Sequence, residues 1–306
     1  MVRVFVAVTD WDWFDSLRQQ PELDEVNFWQ PGGGQQFRAL EPGELFLFKL
    51  HAPRNYIAGG GIYFRSLIVP MSLAWQTFGM KNGAQSLQEM RMRIAKYRRT
   101  PEGRDDFKIG CRILVDPIFL PERQWLPVPE SWSRNIVVGK TFSTDEADGR
   151  FLWDRFMALQ QASVALGLSE GPQARFGEPT LIRPRLGQGA FRIAVTEAYG
   201  RRCAVTGERT LPVLEASHIR PYAMDGPHIV PNGLLLRRDI HTLFDLGYAT
   251  VAPDRRFEVS HRIKEEYENG RDYYAMSGRT IATPDDMDLK PAADFLEWHN
   301  DNVFLG

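Results

Sequence analysis

Four side chains between residues 218 and 245 have the types and spacing to move a proton beside a cation. His218 ends the stretch "EASHI"; thirteen residues separate it from Asn232, and eight more separate Asn232 from His241. Asp245 follows His241 by four residues in "DIHTLFDLG", so on a helix the two share a face. An imidazole with an ordinary pKa of about 6.5 can accept a proton near neutral pH, as a general base must. A histidine and an aspartate one helical turn apart can both reach one ion. An imidazole–carboxylate set suits Mg²⁺, Mn²⁺ or a transition metal better than calcium. One histidine at the end of a strand is more often structural; the spacing of the whole set points beyond that.

The elements that must hold these residues are a short strand, "VLEASHI", a wide loop, "PYAMDGPHIVPNG", and a short helix, with Asp239 as its N-cap and Gly247 as its stop. An amphipathic helix, "GAFRIAVTEAYG", precedes them with Phe191, Val195 and Ala198 or Tyr199 inward, followed by a short strand "RCAVTG". A hairpin, "YATVAPDRRFEVS", and a closing helix, "PAADFLEWHNDNV", come after. His228 reads as a loop residue without chemistry, and Cys203 as core.

With this spacing, the C-x-x-T-G stretch and the strand–loop–helix order, residues 181–306 resemble the HNH nuclease family with its ββα-metal site. The resemblance implies metal-assisted phosphodiester hydrolysis, with His218, Asn232 and His241 as the catalytic set. In it, His218 is the general base, Asn232 fixes the loop, and His241 binds Mg²⁺ or Mn²⁺. Asp245 falls where many members carry the last ligand. Ser217 stands where many carry the ligand before the base, which completes an implied metal set of His241, Asp245 and Ser217. Regular strand alternation puts Glu215 and Ser217 on the face opposite His218. Members with a structural zinc use two C-x-x-C pairs; Cys203 faces Thr206 here, so no structural zinc is expected. Arg192 and Arg202 are candidate phosphate contacts.

The first half alternates strand-like runs, "VRVFVAVT", "GELFLFKLH", "YIAGGGIYF" and "FKIGCRILVDPIFL", with helices. Asp10 caps "DWDWFDSLRQQ". Ser86 and Glu89 form a capping box for residues 86–99, where Leu87, Met90, Ile94 and Tyr97 recur on one face. Arg91 and Arg98 on its other face are further phosphate candidates. A second helix spans residues 150–168, with Ser163 and Leu166 among its inward positions. A stretch mixing Pro, Gly and Arg then divides the chain into a domain at 1–168, a linker at 169–186 and a domain at 187–306. "WDW", "NFWQP" and "PGELFLFKLHAPRNYIAGGGIYF" resemble the PUA-like barrels of the EVE family. That resemblance implies a pocket for a modified nucleobase, with Trp11, Trp29 and Trp75 in loops flanking strands as cage residues. Asn27 or Asn55 would read a base edge. The expected fold is α+β: a PUA-like (EVE) β-barrel with flanking helices, then an HNH ββα-metal domain.

At 306 residues and a net charge of −2, the chain is neither strongly basic nor acidic. Twelve arginines against eight acids over residues 172–256, offset by an acidic tail, permit a polyanionic partner without demanding one. No apolar run is long enough for a membrane span. The two cysteines and a start without signal-peptide features suit a reducing cytoplasm. The two resemblances together imply a modification-dependent restriction endonuclease of use in phage defence. It would act on double-stranded DNA carrying 5-methyl- or 5-hydroxymethylcytosine, as a homodimer if both strands are to be cut. The alternatives are an HNH nuclease of other specificity and a modified-DNA reader whose nuclease has decayed.

Overall fold

A computed structural model describes residues 1–32, 36–98, 106–133, 135–165, 179–182 and 185–306, and the side chains of all these except 162–165. The chain forms two compact units, Met1–Gly187 and Gln188–Gly306. Most of the expected linker, with Leu166, lies outside the described residues, as does the side chain of Ser163.

The first unit runs β1 (Arg3–Thr9), α1 (Trp11–Arg18), β2 (Glu25–Gln30), β3 (Leu45–Leu50), β4 (Tyr56–Pro70), α2 (Met71–Phe78) and α3 (Leu87–Arg98). It continues with β5 (Lys108–Phe119), β6 (Leu126–Pro127), β7 (Gly139–Ser143) and α4 (Ala147–Ala165). Seven strands form one sheet in the order β2-β5-β4-β3-β1-β7, with β6 joined to β4. β1 and β3 run parallel and the other pairs antiparallel. Every residue of β3 is buried, and Phe14, Phe46, Phe48, Phe142 and Phe156 fill the core. The "GGG" of β4 is a close-approach site: a Cβ on Gly59 would fall 2.2 Å from the carbonyl oxygen of Ile118, and one on Gly60 2.6 Å from that of Phe46. At α3 Ser86 Oγ accepts from Glu89 N at 3.1 Å as expected, but Glu89 Oε2 accepts from Gln85 N at 2.7 Å, one residue before the cap, rather than from Ser86 N. Tyr97, expected inward, is half exposed and donates to Asp10 Oδ2 at 2.8 Å.

The second unit runs α5 (Gln188–Ala198), β8 (Leu214–His218), β9 (Gly233–Arg237), α6 (Arg238–Asp245), β10 (Ala249–Val251), β11 (Phe257–Val259), α7 (Arg262–Tyr267), α8 (Arg271–Tyr274) and α9 (Ala293–Asn302). β8 pairs antiparallel with β9, and β10 with β11. Phe191, Val195 and Tyr199 of α5 are buried as expected. Three local expectations differ. β9 is an extra strand: its apolar run "GLLLR" lacks alternation and abuts a helix, so periodicity cannot separate the two. Cys203–Gly207 is a turn rather than a strand, closed by Gly207 N donating to Cys203 O at 2.9 Å and tied to β9 by Ala204 N donating to Leu235 O at 2.7 Å. Asp239 lies inside α6 and bonds the Arg237 guanidinium; the N-cap is Arg237, without a side-chain cap. Among the described residues, no helix is long and apolar enough to cross a membrane.

Candidate active site

His218 closes β8 directly opposite Gly233, the first residue of β9. Its ring stacks on Phe191 of α5, centroids 3.9 Å apart and planes 12° apart. Nε2 lies 2.9 Å from Nδ1 of His228. Burial is the main force on its pKa, helped by the His228 and His241 rings and opposed by Asp245; the result is about 4. The ring is therefore neutral near pH 7, the state a proton acceptor needs.

Asn232 is fully buried where the wide loop returns to the sheet. Its Oδ1 accepts from Arg220 N at 2.9 Å, while Nδ2 donates to Arg220 O at 2.9 Å and Pro227 O at 3.0 Å. Its carbonyl also accepts from Ile219 N at 3.0 Å. One side chain thus ties the start and the end of the loop together immediately after His218.

His241, on the first turns of α6, is held by two carboxylates. Glu215 Oε2 is 2.8 Å from Nδ1 and Asp245 Oδ2 is 3.2 Å from Nε2. Burial pulls the His241 pKa down, but the hydrogen bonds and charges of Asp245 and Glu215 outweigh it and hold the pKa above the ordinary value. Burial likewise raises Glu215, but its bonds to His241 and Arg238 prevail and hold it ionised.

Glu215 therefore joins the site despite the strand-alternation expectation. β8 pairs residue for residue with β9, and along it Leu214 and Ser217 are buried while Glu215, Ala216 and His218 are partly exposed. Ser217, expected as a ligand, is fully buried and its hydroxyl donates to the carbonyl of His218 at 3.2 Å. The signal for Glu215 was an acid three residues before His218 on the same strand. His228 was also missed as a contact, since nothing in a loop sequence shows which way a ring folds back. Arg192 of α5 is partly buried near Glu215 and Arg238; burial lowers its pKa against the pull of Glu215. Arg202 is exposed in the turn before Cys203.

The candidates in the first unit are dispersed. Trp29 lies within β2, not a loop, and is buried with Nε1 donating to Asn82 O at 2.9 Å. Asn27 is fully buried on the same strand, donating to Asn82 Oδ1 at 2.8 Å and Cys111 Sγ at 3.3 Å. Both are core residues as they stand. Trp11 opens α1 and Trp75 lies in α2, each partly exposed; the Arg54 guanidinium sits 3.7 Å from the Trp11 ring centroid. Asn55 is exposed with a left-handed φ of 53° and accepts from Lys49 Nζ at 2.7 Å. Arg91 lies on α3, and Arg98 is bound inward, donating to Pro31 O at 2.6 Å and Lys108 O at 2.9 Å.

Residues 203–252 match the HNH endonuclease family model. The HNH segment begins at the turn of Cys203 and includes β8, the wide loop, β9, α6 and β10. No curated protein matches the chain in sequence. Among solved structures, a mutant ASCH protein from Zymomonas mobilis is similar at 10% identity, over 49% of this chain and 96% of that one, with a TM-score of 0.32. The modification dependent TagI restriction endonuclease is similar at 13% identity over 93% of this chain and 77% of that one, with a TM-score of 0.32.

Among the described residues, no group of three His, Cys, Asp or Glu side chains is arranged to hold a metal ion. Glu215 and Asp245 meet opposite nitrogens of the His241 ring, and their hydrogen bonds and charges raise its pKa. Metal binding to an imidazole nitrogen requires that nitrogen to be unprotonated, so one of these contacts would have to give way to an ion. HNH endonucleases generally use a divalent metal, and the oxygen–nitrogen set of Glu215, His241 and Asp245 suits a hard or borderline one.

Proposed function

We propose that the chain is a modification-dependent restriction endonuclease: its first unit selects double-stranded DNA bearing 5-methyl- or 5-hydroxymethylcytosine and its HNH unit hydrolyses a phosphodiester bond. The observation that carries the nuclease half is the neutral His218 ring beside the Glu215–His241–Asp245 array, inside the segment that matches HNH endonucleases. In this reading His218 takes a proton from the attacking water as the new P–O bond forms and the bond to the 3′ oxygen breaks. Asn232 holds the loop so that the ring stays turned toward the water. Glu215, His241 and Asp245 hold Mg²⁺ or Mn²⁺, which when bound stabilises charge on the phosphate and the departing oxygen. Arg192, beside the array, and exposed Arg202 hold backbone phosphates.

The base-reading half rests on the sequence resemblance of the first unit to EVE/PUA-like barrels. Trp11 and Trp75 are the cage candidates that keep exposed ring area, which a base swung out of the duplex needs for stacking. Double-strand cutting by one HNH site per chain favours a homodimer. The test uses matched plasmids with cytosine, 5-methylcytosine or 5-hydroxymethylcytosine, each with Mg²⁺, Mn²⁺ or EDTA, beside His218→Ala. Cutting confined to modified plasmids, lost in EDTA and in the variant, is the expected result. Equal cutting of all plasmids removes the modified-base half. Tight binding of modified DNA without cutting in any metal identifies a decayed reader.

A further inference from the structure

Three ring contacts lead from the core of the HNH unit to its surface. His218 stacks on Phe191 with centroids 3.9 Å apart, His228 meets His218 at 4.9 Å, and Tyr222 stacks on His228 at 4.6 Å with planes 8° apart. The series begins at Phe191, 1% exposed, and ends at Tyr222, 68% exposed. Tyr222 spends one face on His228; among the described residues its side chain makes no other ring contact and no hydrogen bond. Met224, on the same three-residue turn, is 58% exposed. Single apolar residues on a surface need no explanation, but two on one turn beside a candidate active site mark a contact surface.

The turn that carries these side chains is fixed before anything binds. Met224 N and Gly226 N both donate to Pro221 O, at 2.9 and 3.0 Å, and Arg220 Nε donates to Met224 O at 2.6 Å. A Cβ on Gly226 would fall 1.8 Å from Arg220 O, so the loop closes tightly on itself. Asn232 ties down Arg220 at one end and Pro227 at the other. A ring held this way has little freedom left to lose when a partner stacks on it. That partner must offer a flat apolar face and lie where the substrate of the site lies. A nucleobase has such a face and stacks on an aromatic ring whatever its identity. Bases follow one another along a strand at about 3.4 Å, so a base within a few steps of a phosphate at His218 reaches Tyr222. In a duplex each base face is covered by its neighbour, and an apolar wedge gains contact by parting one base step.

We propose that Tyr222 is a DNA-binding residue that parts a base step beside the cleaved phosphate and stacks on the base it uncovers, with Met224 beside it in the wedge. This rests on the reading of the HNH unit as a nuclease acting on DNA. The stack grips every base alike, which leaves selection to the first unit. Its part is to hold the strand at a set distance from His218, because the platform and His218 belong to one series of packed rings.

The test measures binding of the full-length chain, in EDTA, to a duplex of the sequence and modification that it cuts best, or binds best if it cuts none. An abasic site is moved along that duplex one position at a time. On the intact duplex Tyr222→Ala should weaken binding by roughly 5- to 150-fold, the range of one base–aromatic stack, and Tyr222→Trp should keep it. At one position near the cut the abasic site should erase the difference between Tyr222→Ala and the unaltered protein; elsewhere the difference should persist. Tyr222→Leu, which covers His228 without offering a flat face, should behave as Ala does and serves if the Ala variant does not fold. No difference on the intact duplex, or one that persists at every abasic position, overturns the proposal. An altered elution volume of Tyr222→Ala with DNA binding intact overturns it too, and makes the turn a contact between copies of the chain. Position-specific coupling in a protein that cuts nothing upholds the stack and removes the nuclease reading. Cutting without coupling removes the stack and leaves that reading standing, and a chain that binds no duplex overturns both.

Discussion

Oε2 of Glu215 lies 2.8 Å from Nδ1 of His241, a carboxylate on strand β8 meeting an imidazole on helix α6. Of the β8 side chains, Glu215 meets His241, while the Ser217 hydroxyl donates to the His218 carbonyl. Glu215→Gln removes a charge and a ligand oxygen at once, so cutting should fall by about 10- to 100-fold and need more metal. Ser217→Ala loses one hydrogen bond to a carbonyl, worth about 1 kcal/mol, and should cut within a few-fold of the unaltered rate. Cutting rates titrated against Mn²⁺ separate the two. The reverse ranking would return the ligand role to Ser217.

Asn232 makes three hydrogen bonds with a fully buried side chain. In Asn232→Ala the Arg220 amide and the carbonyls of Arg220 and Pro227 lose partners, which should cost about 2–4 kcal/mol. Urea unfolding of the full chain measures this. A loss of cutting at temperatures where the variant remains folded would separate loop positioning from stability.

Gly233 faces His218 across the sheet, and a Cβ there would lie 2.5 Å from Val195 Cγ2 and 3.0 Å from Phe191 Cζ. Tyr199 also donates to its carbonyl at 3.2 Å, so the strand cannot simply retreat. Gly233→Ala should therefore push Phe191 off the His218 ring, at a cost of about 1–3 kcal/mol. Cutting should fall more than in a variant of equal instability elsewhere in the unit, which paired measurements of Tm and rate would establish.

Much of this arrangement was visible in the chain itself, because local rules act where the residues are. The helix starting at Ser86 followed from side chains that bond neighbouring amides, and α5 from its apolar spacing. The set His218, Asn232, His241 and Asp245 could be singled out by spacing and residue type, and the structure sets His241 against Asp245 and His218 beside the loop that Asn232 closes. What escaped needed three dimensions. Glu215 reaches His241 because α6 packs against β8, a contact between elements 26 residues apart that strand alternation alone does not show. β9 hid in an apolar run continuous with a helix. Trp29 and Asn27 read as pocket residues by type, but Asn82, more than fifty positions away, turns both into core.

His299 supplies a pH dependence independent of the reaction. It is 2% exposed, stacks on Phe244 at 3.7 Å and bonds Thr250 Oγ1 at 2.9 Å. Burial outweighs the bond to the Phe244 carbonyl and the charge of Asp245, and lowers its pKa to about 4. The unfolded chain takes up this proton near pH 6.5 and the folded chain only near 4. Stability present above pH 6.5 is therefore lost as pH falls through that window, with a limiting slope of about 1.4 kcal/mol per unit for this group. His218, lowered for a similar reason, adds to the loss. In His299→Gln the slope between pH 6.5 and 4 should shrink, although the variant starts less stable at pH 7. Urea unfolding at several pH values, fitted for slope rather than for absolute stability, checks this.

The first unit offers a contrast between core and surface tryptophans. Trp29→Phe removes the N–H that meets the buried Asn82 carbonyl and should cost about 1–3 kcal/mol. It should leave the ratio of cutting on modified to unmodified plasmid unchanged, because a ring packed in β2 has no face to offer a base. Trp75→Ala and Trp11→Ala remove partly exposed rings and should lower that ratio with smaller effects on unfolding. Stacking on an aromatic ring is worth about 1–3 kcal/mol per base, so loss of the one that meets the base should reduce the preference by roughly 5- to 150-fold. A folded Trp29→Phe that loses its preference would mean that β2 opens to admit the base, and would place the pocket where Asn27 and Asn82 now meet.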